Sequence, residues 1–188
     1  MAAGTMKTYV ALLRGINVGG NRKVPMARLR ALAEGLGYGN PRTYVNSGNL
    51  VLEATASPAK VEAALEAAIE AEFGFEVPVA VRTVQELVKV RDACPYPDEA
   101  EERGNLVHAG FAKGKLERPA AAAAEEHAGS EERVAFVGRG RSAALWVDYA
   151  GGVARSKITP AVLDRAAGGS VTMRNARTLA KLIELANG

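Results

Sequence analysis

Leu13-Arg14-Gly15-Ile16-Asn17-Val18-Gly19-Gly20-Asn21-Arg22-Lys23-Val24-Pro25-Met26 follows directly on the apolar run Thr8-Tyr9-Val10-Ala11-Leu12, and together they decide how the chain begins to fold. A short apolar run closed by a glycine turn reads as a buried strand. Pro25 then opens a helix, because proline suits a first turn, where its missing N–H would have had no partner. Met26, Leu29, Leu32, Ala33 and Leu36 recur on one helical face. The turn between strand and helix carries three glycines, two asparagines and no acid. Such a turn exposes backbone N–H groups and sets cations beside them, an arrangement suited to an anion. The same glycines would also serve a tight strand-to-helix connection.

Outward from that stretch, Gly35, Gly37 and Gly39-Asn40-Pro41 stop the helix. Strands are expected at residues 42–46 and 49–54, separated only by Ser47-Gly48, which is a hairpin spacing. Ser57-Pro58 caps an amphipathic helix bearing Val61, Leu65, Ala68, Ile69 and Phe73, and residues 77–82 form a further strand. Strand, helix, strand, strand, helix, strand with right-handed crossovers is the ferredoxin-like plait. Its topology brings residues 14–23 and 46–49 to one edge of the sheet, and the end of the fourth strand, near Arg82, is expected there as well.

A linking helix is expected at residues 83–93, broken by Cys94-Pro95-Tyr96-Pro97. Asp98-Glu99-Ala100-Glu101-Glu102-Arg103 reads as an exposed acidic loop. The pattern then recurs: a strand at 105–112, a helix at 119–128, a hairpin of 133–137 and 143–149, a helix opened by Thr159-Pro160, a strand at 170–174 and a last helix at 176–186. The fold class is therefore α+β, with two ferredoxin-like (α/β plait) domains built on antiparallel sheets. They occupy residues 7–82 and 105–188, the second ending in the C-terminal helix, with a flexible leader at 1–6 and the linking helix and acidic loop at 83–104.

The net charge of +3 decides little, but its distribution is uneven. Residues 7–42 hold seven Lys/Arg against Glu34 alone, and residues 133–181 hold nine against Asp148 and Asp164. If the two basic regions shared a face, that face would attract anions. Cys94 is the only cysteine, which excludes an internal disulfide and fits a reducing, cytoplasmic setting. No apolar run approaches the roughly 18 residues of a membrane span, and the leader lacks the features of a signal peptide.

The candidate ligand-binding residues are Arg14, Gly15, Asn17, Gly19, Gly20 and Lys23 in the glycine turn, and Asn46, Ser47 and Asn49 in the hairpin. Tyr44 is expected to pack beneath them. Ser156 and Lys157 precede a helix and Arg174-Asn175 end the last strand, so each pair could contact an anion. From the topology, the two pairs are expected at opposite ends of the second domain, which argues against one compact site. His108 and His127 stand apart from any metal-ligand spacing, so no metal and no cofactor is implied. A Ser47–Lys23 nucleophile pair is the one catalytic arrangement the residues suggest. Strand three lacks the aromatics of a base-stacking sheet face, leaving nucleic acid only the basic edges.

The glycine-turn residues, with Thr43-Tyr44-Val45-Asn46-Ser47-Gly48-Asn49-Leu50, closely resemble the bacterial family catalogued as domain of unknown function 1697. Phe73-Gly74-Phe75-Glu76-Val77-Pro78-Val79, Val81-Arg82-Thr83, Arg155-Ser156-Lys157-Ile158-Thr159 and Thr172-Met173-Arg174-Asn175 extend the resemblance along the chain from Lys7. The resemblance implies two plait-like α/β domains and brings no established activity. In the family pattern an aromatic and Asn-Thr follow Arg-Asn; here Ala176-Arg177-Thr178 stand instead. Three readings stay open: binding of a small anionic or phosphorylated ligand at the basic edge, an enzyme (a transferase or hydrolase) acting on a phosphorylated metabolite, and a protein-interaction module. Oligomeric state is not legible.

Overall fold

The opening strand is β1, Lys7–Leu13, in a computed structural model that describes residues 4–188. Residues 1–3 of the leader lie outside the described residues. Tyr9, Val10, Ala11, Leu12 and Leu13 are all buried, so both faces of β1 are covered and its apolar run is unbroken. Then come α1 (Met26–Gly35), β2 (Gly39–Tyr44), β3 (Asn49–Ala54), α2 (Pro58–Phe73) and β4 (Val79–Thr83). The sheet order is β2-β3-β1-β4 with every neighbouring pair antiparallel. Polar β2, with Pro41, takes an edge, where a missing N–H costs no ladder bond. Tyr9, Leu13, Leu29, Leu52, Leu65 and Val81 belong to the core that this sheet shares with its helices.

After α3 (Val84–Asp92) and α4 (Pro97–Arg103) the plan repeats as β5 (Val107–Ala112), α5 (Pro119–Glu125), β6 (Arg133–Val137), β7 (Ala144–Asp148), α6 (Pro160–Ala167) and β8 (Val171–Asn175). The second antiparallel sheet runs β6-β7-β5-β8, and α7 (Ala176–Asn187) closes the chain. The protein is thus α+β with two ferredoxin-like sheets. Residues up to Val84 with Glu184–Gly188 make one compact unit, and Gln85–Ile183 the other.

The two units share a local grammar. Ser57 caps α2 by accepting from the Lys60 N–H, Pro58 follows, and Gly74 ends the helix at φ 78°. Thr159 caps α6 by accepting from the Val162 N–H, Pro160 follows, and Gly168 ends it at φ 69°. The helices then cover the outer amides of each edge strand. Glu66 and Glu62 accept from the Val79 and Val81 N–H groups at 2.9 and 2.8 Å, and Asp164 accepts from Val171 at 2.9 Å. An edge strand with bare N–H groups invites pairing with another chain, so these carboxylates close it. Glu62→Ala, which orphans a buried amide, is expected to cost about 2 kcal/mol. Glu62→Gln keeps an accepting oxygen and should recover most of that loss; urea midpoints compare the two.

Four expectations need correction. The acidic segment after Cys94 is not a loop but α4: Pro97 stands at its N-terminus, Asp98 and Glu99 lie in the first turn and Arg103 in the last, which all favour a helix. The first hairpin turn is not Ser47-Gly48 alone, because Tyr44 pairs with Asn49 and leaves Val45, Asn46, Ser47 and Gly48 as a four-residue connection. Arg82 does not reach the glycine-turn edge. β4 runs antiparallel to β1, so Leu13 pairs with Val79 and Tyr9 with Thr83, and it is the start of β4 that lies there. By the same logic Arg174-Asn175 and Ser156-Lys157 lie towards one end of their sheet, not opposite ends. Asn175 pairs with His108 and Asp148 with Val107, so β7 and β8 both end at that side, and the Ser156-Lys157 loop leaves from it.

Candidate functional site

The glycine turn folds back on itself as a miniature hairpin. The Asn17 N–H donates to the Arg22 carbonyl at 3.1 Å and the Asn21 N–H to the Val18 carbonyl at 3.2 Å. Gly19 and Gly20, at φ 60° and 79°, form its two-residue tip. Two successive positive φ values define the turn type that glycine pairs adopt at least cost. Asn17 and Arg22, at φ 56° and 49°, also take the left-handed region, as do Gly15 and Gly48. The tip is exposed, with Val18 at 69%.

This miniature hairpin is stapled to the β2–β3 turn. Asn17 Nδ2 donates to the Val24 carbonyl at 3.0 Å and to the Asn46 carbonyl at 2.7 Å, while Asn17 Oδ1 accepts from the Val24 N–H. The Leu13 N–H donates to the Gly48 carbonyl at 2.8 Å, and the Arg14 N–H to the Pro78 carbonyl at 3.0 Å. The two motifs, some thirty residues apart, do meet. Two of their asparagines serve the fold: Asn17 spends its amide on the staple, and Asn49, fully buried, braces the β2–β3 turn by donating to the Tyr44 carbonyl and to Ser47 Oγ. Tyr44 is half-buried and enters the turn through its carbonyl.

Cations and loop amides face solvent at this edge, with exposed Asn46 and Ser47 beside them. Lys23 is exposed and Arg14 half-buried. Arg22, which the sequence reading passed over, lies with its guanidinium 6.0 Å above the Phe75 ring and approaches the space over Gly15. Phe75 in turn stacks on Phe73. The sequence did hold a signal for this, a basic residue next to Lys23 and a Phe-Gly-Phe motif. Only the fold shows that they meet. Among the described residues, Arg22 and Lys23 have no carboxylate partner, and the Gly15, Gly19 and Gly20 amides make no internal hydrogen bond. Lys23 makes no hydrogen bond there either, so the Ser47–Lys23 pair is not formed.

The second unit places its candidate residues differently. Asn175 Oδ1 accepts from the Thr178 N–H at 2.8 Å and so caps α7. Arg174 is buried, donates to the Met173 carbonyl at 2.8 Å, and burial pulls its pKa down to about 10. Ser156 Oγ accepts from the Ile158 N–H, while Arg155 and Lys157 are exposed on the wall of a cleft. His108 Nε2 donates to the Asn105 carbonyl at 2.9 Å, and its ring meets Tyr149 edge-on at 5.2 Å. Burial lowers the His108 pKa and raises that of the Cys94 thiol. No group of three metal-ligating side chains occurs among the described residues, and no helix there is long and apolar enough to cross a membrane.

Comparison with solved structures finds the conserved bacterial protein SP0830 from Streptococcus pneumoniae at a TM-score of 0.74 and 23% identity, covering 97% of this chain and 99% of that one. At that identity the likeness extends to the fold. Comparison with curated proteins gives no match. The family described as "Protein of unknown function (DUF1697)" matches residues 6–140, which takes in the glycine turn, the β2–β3 turn and Phe75 but not the Arg155 and Thr172 motifs. The chain belongs to that family.

Proposed function

We propose that the glycine-turn edge of the first unit binds an anionic or phosphorylated ligand. The observation that carries this reading is the placement of Arg22 over Phe75, beside Gly15 and Lys23, with neither cation paired to a carboxylate among the described residues. An aromatic base fixes a guanidinium plane without consuming its N–H donors, leaving them for the paired oxygens of a phosphate or carboxylate. The unengaged loop amides of Gly15, Gly19 and Gly20 add donors with no desolvated side chain. Arg14, half-buried at the end of β1, adds positive charge. Binding is favoured over catalysis because Ser47 and Lys23 are not coupled.

The experiment is a thermal-shift titration of wild type, Arg22→Ala and Lys23→Ala with pyrophosphate, nucleotides and short RNA. A ligand that binds only the folded state raises the melting temperature by mass action. At least one anion should stabilise wild type, and Arg22→Ala should weaken it by about tenfold, or 1.4 kcal/mol. Equal shifts in wild type and both variants would remove the site from this edge. A response that grows with RNA length and collapses with salt would identify a polyanion. Val18 and Val45, 69% and 49% exposed at the same edge, favour a second reading, a partner protein's acidic segment with an apolar anchor. Co-purification lost on Val18→Ser and weakened in Arg22→Ala, with no small anion shifting the melting temperature, would favour the partner.

A further inference from the structure

Two loops of the second unit face each other across an open cleft of about 330 Å³. One, residues 127–132, leads into β6, and the other, residues 151–157, leaves β7. They meet because the strands pair there, Arg133 opposite Asp148. The first wall carries Glu131 and Glu132, the second Arg155 and Lys157, and Ala128, Gly129, Gly151 and Gly152 leave the space between them open. Taken from sequence, Ser156 and Lys157 suggest an anion site; only the fold sets the acids across from them.

The charges do not neutralise one another by contact. Among the described residues Glu131, Arg155 and Lys157 make no ion pair, and the Glu132 carboxylate accepts from the Gly129 N–H at 2.7 Å. A purely anionic ligand drawn to Arg155 and Lys157 would meet two carboxylates across the cleft, and a purely cationic one would meet two cations. At equal distance, a like-charge contact offsets an opposite-charge contact of the same size. The complementary ligand carries both signs.

We propose that this cleft binds a small zwitterion of the amino-acid class. Its carboxylate lies against Arg155 and Lys157, and its ammonium against Glu131 and Glu132. The volume sits at the small end of the range for ligand pockets, as a compact metabolite requires. The proposal stands apart from the anion-binding edge and does not depend on it.

Amide NMR of the intact protein, following Gly129, Gly151 and Gly152 during titration with each standard L-amino acid, tests it. At least one amino acid should shift these amides with saturation. The matched carboxylic acid lacking the amine, and the matched amine lacking the carboxylate, should each bind about tenfold more weakly. Glu131→Gln and Lys157→Gln are surface changes that preserve the fold, and each should weaken the amino acid about tenfold, whereas Arg22→Ala should not. No saturable shift with any amino acid overturns the proposal, as does equal binding of the deaminated acid. Tighter binding of inorganic phosphate, strengthened by Glu131→Gln, would make the cleft an anion site and overturn it too.

Discussion

Gly48→Ala should destabilise the first unit by about 3 kcal/mol, from left-handed backbone strain of roughly 1–2 kcal/mol plus overpacking of similar size. Gly48 sits at φ 89°, and a Cβ there would stand 2.7 Å from Leu13 Cβ and 2.9 Å from Ile16 Cδ1. Leu13 and Ile16 are buried at 0% and 1% exposure, so neither has room to retreat. The Gly48 carbonyl also holds the Leu13 N–H, so movement of the turn would loosen its junction with β1. Gly20→Ala supplies the control. It shares the positive φ, at 79°, but a Cβ there meets nothing within 4 Å, so only strain remains, about 1 kcal/mol. Urea unfolding followed by far-UV circular dichroism should separate the two. Equal losses would mean that the β2–β3 turn is not packed as described, and the meeting of the two motifs would fall with it.

Asp148→Ala should be comparably severe in the second unit. Asp148 is fully buried and takes both oxygens to Arg103, at 2.5 and 2.8 Å, with Arg133 at 2.7 Å. Arg133 also pairs with Glu99 and lies 4.3 Å over the Tyr96 ring. Removing one member of a buried pair leaves the other uncompensated, at a cost of about 3 kcal/mol here. The cost stays at the lower end of that range because the Arg103 and Arg133 side chains keep 29% and 45% exposure. The buried single tryptophan, Trp146, whose Nε1 donates to the Val90 carbonyl, lies in the same strand and reports the unfolding by fluorescence.

The acid response of that variant is a second readout. Burial pushes the Asp148 carboxyl up, but the hydrogen bonds and charges of Arg103 and Arg133 outweigh it, and its pKa ends below the ordinary value of about 3.9. A depressed folded pKa means that the unfolded chain binds more protons. The stabilisation is therefore complete above the unfolded value and is lost as pH falls through the folded one. Asp148→Ala should remove that part of the acid slope while leaving the slope from His108. The latter's pKa is lowered by burial, so stability falls as pH drops from about 6.5 towards its folded value.

The sequence by itself determined the elements and their order. The unbroken run of β1, the Ser57-Pro58 and Thr159-Pro160 openings and the helical spacing of α2 are local preferences, set within a few residues by proline geometry, capping and burial of one face. Chain connectivity then fixed both plaits and brought residues 14–23 to residues 46–49. The same logic, followed one strand further, put Arg82 at the wrong edge, because the antiparallel pairing of β4 with β1 reverses which end arrives. Tertiary structure decided what the polar residues do. Asn17, Asn49 and Asn175 looked available to a ligand in sequence, yet each amide is spent on the fold: one as a staple, one as a buried turn brace, one as a helix cap. Arg22 on Phe75 and the acids opposite Arg155 and Lys157 became visible only in three dimensions. A side chain's partners depend on distances between segments far apart in the chain, and no local preference encodes those.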